Sequence, residues 1–469
     1  MPIKDLREFI RALQDSGGIK TIEEASCELE IGGVTQLAAD SAKCPALLFD
    51  AIKGFTKGFR VLTNVLANKT RERLVFGVAQ ELSDKEALMS WKEKLKQHKP
   101  ISPAQAKLAP VKQNTVAEDQ VDLGKFPWLR WHENDRYRCQ YGAIFVTRDP
   151  TSGRIGITSH PLALVGRNTI VARVATGDID PVWQKYWTDG KPCPVAISLG
   201  QDPALLAATI MGGPAGNLDY GFAGWIRGEP VEVTDGEFTG LPIPAAAEVI
   251  LEGELAPPGA AQAAEELPAS ITPTQTGNGL LGPSIKVHRI YFRNDPIIIG
   301  NPPIMGSTHG GLASRAAHLW IELEDLRIAN ITAVNHRPWG ATIVSIKQLD
   351  DGHVKRVARA LMESSAGRNL RFAIIVDEDI DPYNLEKVFW AIATRYEPEY
   401  ALDIARRLRG ASVAAEKGGS AATHTGSAAI IDACRPYQWM DKFPRTTDIS
   451  EELVKKTVEK WGEIFAQRG

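Results

Sequence analysis

The chain has 469 residues, 43% of them hydrophobic and 24% charged, and a formal net charge of −3. That length suits about two to four domains, and the near-neutral balance excludes the basic footprint expected of a nucleic-acid or anionic-membrane binder. Cys27, Cys44, Cys139, Cys193 and Cys434 are scattered with no C-x-x-C pair, which argues against a zinc ribbon or disulfide framework and suits a reducing cytoplasm.

Residues 3–15 alternate apolar and charged positions at helical spacing. Charges throughout that stretch make it an amphipathic helix rather than a signal peptide. "CPALLFDAI" and "FRVLTNVL" predict short strands, and 83–97 predicts a polar-faced helix. "KPISPAQAKLAPVKQN" reads as a linker or extended crossing segment. In "YGAIFVTRDPTSGRIGITS" the "DPTSG" turn joins two β-prone runs. "NTIVARVA" and "CPVAISLG" predict further strands, with a helix near "IDPVWQKYWTDG" between them. "DPALLAATIM" predicts a helix opened by Asp202 and Pro203. Strands recur at "EPVEVTDGE", "AEVILEGEL" and "IKVHRIYFR", and 254–284 reads as a long loop or flap.

The C-terminal part alternates strand and helix: "ATIVSIKQ", "GHVKRVARALMES", "RFAIIVDEDID", "NLEKVFWAIATRY". This predicts a βαβ unit with a mostly parallel sheet. "KGGSAATHTGSAAIIDACRP" reads as a mobile loop, and "SEELVKKTVEKWGEIFAQ" as a charged terminal helix. No apolar run reaches the ~18 residues a membrane span needs. P-loop, dinucleotide, nucleophile-elbow and zincin motifs are absent.

The blocks "DLGKFPWLRWHEND", "YGAIFVTRDPTSGR", "DPALLAATIM", "YGFAGWIRGEPVEV", "PIPAAAEVILEGEL", "GHVKRVARALM" and "VDEDIDPYNLEKVFWAIATR" occur in one order over residues 120–440. Together they resemble the UbiD family of reversible decarboxylases, which use prenylated FMN. The resemblance implies an α+β and α/β multidomain chain. Its expected parts are an N-terminal α/β domain at 1–115 and a split β-barrel, flavin-reductase-like cofactor domain at 116–315. A C-terminal α/β oligomerisation domain at 316–445 and a terminal helix at 446–469 follow.

In that family a potassium ion and a divalent metal, manganese or iron, anchor the flavin phosphate. The resemblance puts Asp219, just before "YGFAG", at a metal-ligand position; a helix-start acid is the competing reading. Gly156 and Gly177 stand where the family has an Asn and a His ligand, and neither can ligate through a side chain. Thr209 and Met211 match a potassium-binding hydroxyl and a neighbouring carbonyl. Ser159, His160 and Pro161 match the flavin-facing strand, and Arg173, Val174 and Ala175 the next flavin segment. Pro161 stands where the family carries an Arg that orients the substrate carboxylate. The family's E-G-P-x-G-[ED] acid motif is absent, and Glu265 and Glu266 are the carboxylates in its place. The proton donor after CO₂ loss is then expected to be His160, Glu265 or Glu266.

The resemblance therefore implies a cytoplasmic carboxy-lyase acting on an aromatic or unsaturated acid. An aryl-CoA thioester such as phthaloyl-CoA is a further expected substrate. A flavin prenyltransferase would supply the cofactor, and a homo-oligomer, dimer or hexamer, is expected without nucleic-acid or membrane partners. The alternative is a non-catalytic paralogue within a multi-subunit carboxylase.

Overall fold

The computed structural model describes residues 3–133, 135–172, 180–213, 218–257, 282–302, 311–312, 314–337, 340–365, 370–409, 425–444, 447 and 449–465. The first helix, Leu6–Asp15, is capped by Asp5, whose carboxylate accepts from the Glu8 N–H. Leu6, Phe9, Ile10 and Leu13 recur at helical spacing and form its buried stripe. A four-stranded sheet follows in the order Ile19–Glu23, Ala46–Asp50, Arg60–Thr63, Ile297–Gly300. Two of these strands lie within the predicted "CPALLFDAI" and "FRVLTNVL" runs. The last comes from far along the chain and pairs in parallel with Arg60–Thr63.

Among the described residues, nine strands form the central sheet. Its main path runs Cys139–Gln140, Leu162–Leu164, Thr169–Ala172, Ser284–Phe292, Val249–Leu255, Cys193–Ser198, Ile144–Arg148, Ile155–Ser159. Two connections decide its shape. His160 and Pro161 alone join Ile155–Ser159 to Leu162–Leu164, and three residues join Cys139–Gln140 to Ile144–Arg148. Each joins strands six places apart along the path, about 29 Å in a flat sheet at about 4.8 Å per strand. Links this short reach only about 10–14 Å. The sheet therefore curls until its edges approach, giving a half-barrel whose split is crossed at His160–Pro161.

Inside the curl, Phe145, Leu162, Ile170, Trp183, Val195, Ile197 and Leu251 make one apolar cluster. Ile144, Val146 and Ile157 point the other way, into the main core with the helices Pro203–Met211 and Tyr220–Arg227, as strand alternation requires. The stretch 99–109 runs without helix, with Ala104–Gln105 pairing in parallel with Glu232–Asp235, before a 3-10 turn at Pro110–Gln113.

The C-terminal sheet runs Ile331–Arg337, Ala341–Ile346, Phe372–Asp377, Thr425–Ala433, Leu402–Arg409. Its three inner strands are parallel, linked through the helices His353–Glu363 and Leu385–Arg395, while both edge strands are antiparallel. This is the predicted βαβ unit. The supposed mobile loop at 417–436 is corrected in its second half, because Thr425–Ala433 is an inner strand. Small Gly, Ala and Ser residues hide a β pattern, yet they fit beneath a covering helix. Among the described residues no helix is long and apolar enough to cross a membrane.

Candidate active site

The split of the half-barrel gathers polar atoms around an aromatic floor. The strand pairing sets Thr158 opposite Phe145 and Gln140 opposite Leu162, and directly opposed residues share a face. Both polar side chains thus lie on the inner, Phe145–Leu162 side. His160 continues that alternation. Its ring meets Phe145 edge-on at 5.1 Å and Trp183 at 4.9 Å between centroids. Trp183 is delivered by the helix Pro181–Thr188, which Asp180 caps by accepting from the Val182 N–H at 2.8 Å.

His160 Nε2, Thr158 Oγ1, Trp183 Nε1 and both amide atoms of Gln140 are buried without a hydrogen-bond partner. Native interiors leave few such atoms unpaired. Here several lie on the inner face of the curled sheet, beside Phe145. Burial pushes the His160 imidazole down to about 4, because its charged form loses water and gains no counter-ion. At neutral pH this burial favours the neutral ring, and its Nε2 has no partner. Next to it, Ser159 Oγ donates to the Ala143 carbonyl at 2.9 Å.

At the edge of the same strand left unpaired among the described residues, Ile157 N–H donates to the Leu218 carbonyl at 2.9 Å. That bond sets Gly156 beside the start of Tyr220–Arg227. Asp219 caps this helix, its Oδ1 accepting from the Phe222 N–H at 3.2 Å. Pro203–Met211 is clamped to the same helix by Asp202 and Arg227, 2.6 Å apart and both largely buried. Thr209 Oγ1 donates back to the Leu206 carbonyl at 2.8 Å. Met211 is fully buried, and Gly212 ends the helix at φ 77°. Arg173, Val174, Ala175, Glu265 and Glu266, as well as Gly177, lie outside the described residues.

Models of three domains match the chain: the N-terminal domain of 3-octaprenyl-4-hydroxybenzoate carboxy-lyase over 10–89, its Rift-related domain over 103–305 and its C-terminal domain over 311–433. A pyrrole-2-carboxylic acid decarboxylase of Pseudomonas aeruginosa is 30% identical over 419 residues, covering 84% of this chain and 83% of the relative. The chain belongs to the UbiD family. A phenolic acid decarboxylase of Bacillus subtilis is 28% identical over 414 residues, covering 85% of this chain and 86% of the relative. Among solved structures, the vanillic acid decarboxylase of Sedimentibacter hydroxybenzoicus in open form superposes with a TM-score of 0.82 at 25% identity, covering 100% of this chain and 99% of that one. An evolved dimeric form of the UbiD-class enzyme HmfF from Pelotomaculum thermopropionicum, in complex with prFMN, has a TM-score of 0.78 at 23% identity, covering 95% of this chain and 97% of that one. At the level of the family, the chain is a carboxy-lyase.

The described residues fit a flavin better than they fit the divalent ion of UbiD enzymes. Unpaired donors and acceptors beside Phe145 and Trp183 suit a flat aromatic group with a polar rim. A divalent metal needs several oxygen or nitrogen ligands. Asp219 already caps a helix, and Gly156 brings none. No group of three or more His, Cys, Asp or Glu side chains among the described residues is arranged to hold a metal.

Sequence reasoning missed Arg315 and His318. They belong to no motif and reach this region only through the packing of Ala316–Asp325. A separate cavity of about 470 Å³ lies between Lys69–Phe76 and the C-terminal unit, lined by Glu72, Arg73, Asp84, Arg337 and Tyr383 among others. None of the residues predicted for the site lines it.

Proposed function

We propose that this UbiD-family chain is a prenylated-FMN-dependent, non-oxidative decarboxylase of an aromatic carboxylic acid. The observation that carries this reading is the set of unpaired polar atoms at Thr158, His160, Trp183 and Gln140 around Phe145. When bound, the prenylated flavin supplies an electron sink for the carbon that loses CO₂. Ser159, His160 and Pro161, with Arg173, Val174 and Ala175, would border it, and Thr209 and Met211 would lie at its phosphate end. Phe145 and Trp183 give the ring system dry walls, which strengthen every polar contact made inside them.

His160 positions rather than protonates. Its neutral ring offers a single hydrogen bond from Nε2, directed by the two aromatic neighbours. The proton that replaces CO₂ then comes from a carboxyl group, with Glu265 and Glu266 the candidates, provided burial raises one of them. Pro161 leaves the substrate carboxylate without the family's guanidinium. That favours a substrate whose ring or second substituent carries the binding energy, and an aryl-CoA thioester meets this description as well as a free aromatic acid. A flavin prenyltransferase would provide the cofactor, and the working form would be a homo-oligomer.

The test is co-expression with a flavin prenyltransferase, anaerobic purification and mass spectrometry of bound flavin. CO₂ release is then assayed on pyrrole-2-carboxylate, phenolic acids and aryl-CoA thioesters. Stoichiometric prenylated FMN and turnover of at least one substrate are expected. Absence of both would instead support a non-catalytic subunit.

A further inference from the structure

Arg315 and His318 lie against Gly212 and Phe222, beside the helices to which the resemblance assigns the phosphate end of the flavin. The guanidinium of Arg315 lies flat against Gly212: a Cβ built there would stand 3.8 Å from one terminal nitrogen, 3.9 Å from Cζ and 4.0 Å from Nε. Its edge is left for other partners. His318 is on the side of Phe222, 6.4 Å between ring centroids, and Phe222 donates the N–H that Asp219 caps. Arg315 is also the residue that precedes the helix Ala316–Asp325, without capping it through its side chain.

Three features here favour an anion. Arg315 makes no ion pair among the described residues, and its Nε is buried and unpaired. The residue is half-buried, so its guanidinium keeps an open edge that an anion could meet. Both ring nitrogens of His318 are buried without partners. Burial, together with the fields of Arg315 and His98, holds that imidazole near 4, so it is a neutral donor. The start of a ten-residue helix adds N–H groups and a partial positive charge in the same place. No cluster of metal ligands competes for the position among the described residues.

We propose that Arg315, supported by His318 and the start of Ala316–Asp325, is an anchor for the phosphate of the flavin that needs no divalent metal, taking the place of the family's divalent ion. A guanidinium grips a phosphate through two parallel N–H bonds, which supplies both the charge and the geometry that Gly156 can no longer help a metal provide. This inference rests on the flavin reading above.

The experiment compares FMN with riboflavin, which lacks the phosphate, by fluorescence quenching of the full chain before and after dialysis against EDTA. The wild type should prefer FMN roughly tenfold or more, and EDTA should leave that preference intact. Arg315→Gln should abolish the preference while riboflavin binding and the thermal midpoint stay put; Arg315→Lys should restore part of it. Loss of the preference in EDTA would overturn the inference, and so would an Arg315→Gln variant that still discriminates. If Arg315→Gln lowered both affinities and the thermal midpoint together, Arg315 would be structural and the inference would fall. If the wild type bound neither flavin, the flavin reading would fall with it.

Discussion

Enclosed by Phe145 and Trp183, the His160 ring keeps neither its water nor a counter-charge, and the same loss of water acts on His318 and His336. All three are held near 4, below the ordinary value of about 6.5. The unfolded chain therefore binds more protons between those two values. Stability is complete above about pH 6.5 and falls as the pH drops toward 4, by up to about 1.4 kcal/mol per pH unit for each histidine. Asp202, pushed up to about 6 by burial, acts with the opposite sign. A difference between proteins isolates one ring: His160→Gln should fall less steeply than the wild type between pH 6.5 and 4.5 in urea midpoints. Parallel slopes would show that His160 is solvated. Of the group around His160, only Ser159, His160 and Pro161 were legible in the sequence, through the resemblance that matches them to a flavin-facing strand. Gln140 and Trp183 are brought to His160 by the curl of the sheet, and no local pattern encodes that curl.

Helix ends show what periodicity reveals and what it hides. Asp5, Asp202 and Asp219 each precede a helix and each accepts its early N–H groups. The pattern of an acid before an apolar run is readable without a fold. The strand Thr425–Ala433 was not readable, since "TGSAAIIDA" has the composition of a loop and is fixed only by its two neighbours. Asp219 separates two roles by experiment. Asp219→Ala should cost about 1 kcal/mol of stability through the lost cap. If capping is its main task, FMN affinity and metal content should be unchanged in the purified variant. A drop in bound manganese, iron or potassium on this substitution would return Asp219 to the ion site.

Across the whole molecule, one carboxylate ties the N-terminal helix to the curled sheet. Glu248 is fully buried and accepts two bonds from Arg7, at 2.8 Å each, and a third from Arg293 at 3.2 Å. Arg7→Ala removes two of those bonds and leaves Arg293 as the remaining ion pair, so its cost should stay below that of a fully broken buried pair, about 3–5 kcal/mol. The expected result is a fall in the thermal midpoint, and Glu248→Gln in the Arg7→Ala background should recover part of it. Unchanged melting in Arg7→Ala would mean that water replaces the guanidinium. Long-range pairing of this kind also explains why the fourth strand of the first sheet escaped sequence reasoning: "IIIG" is plainly β-prone, but nothing near it names its partner. The same strand imposes an order on synthesis. Arg60–Thr63 leaves the ribosome roughly 230 residues before Ile297–Gly300, a delay of about ten to fifty seconds at about 5–20 residues per second. Throughout that wait the nascent chain carries an open, apolar sheet edge, so its safe maturation depends on the speed of translation and on whatever chaperone covers that edge.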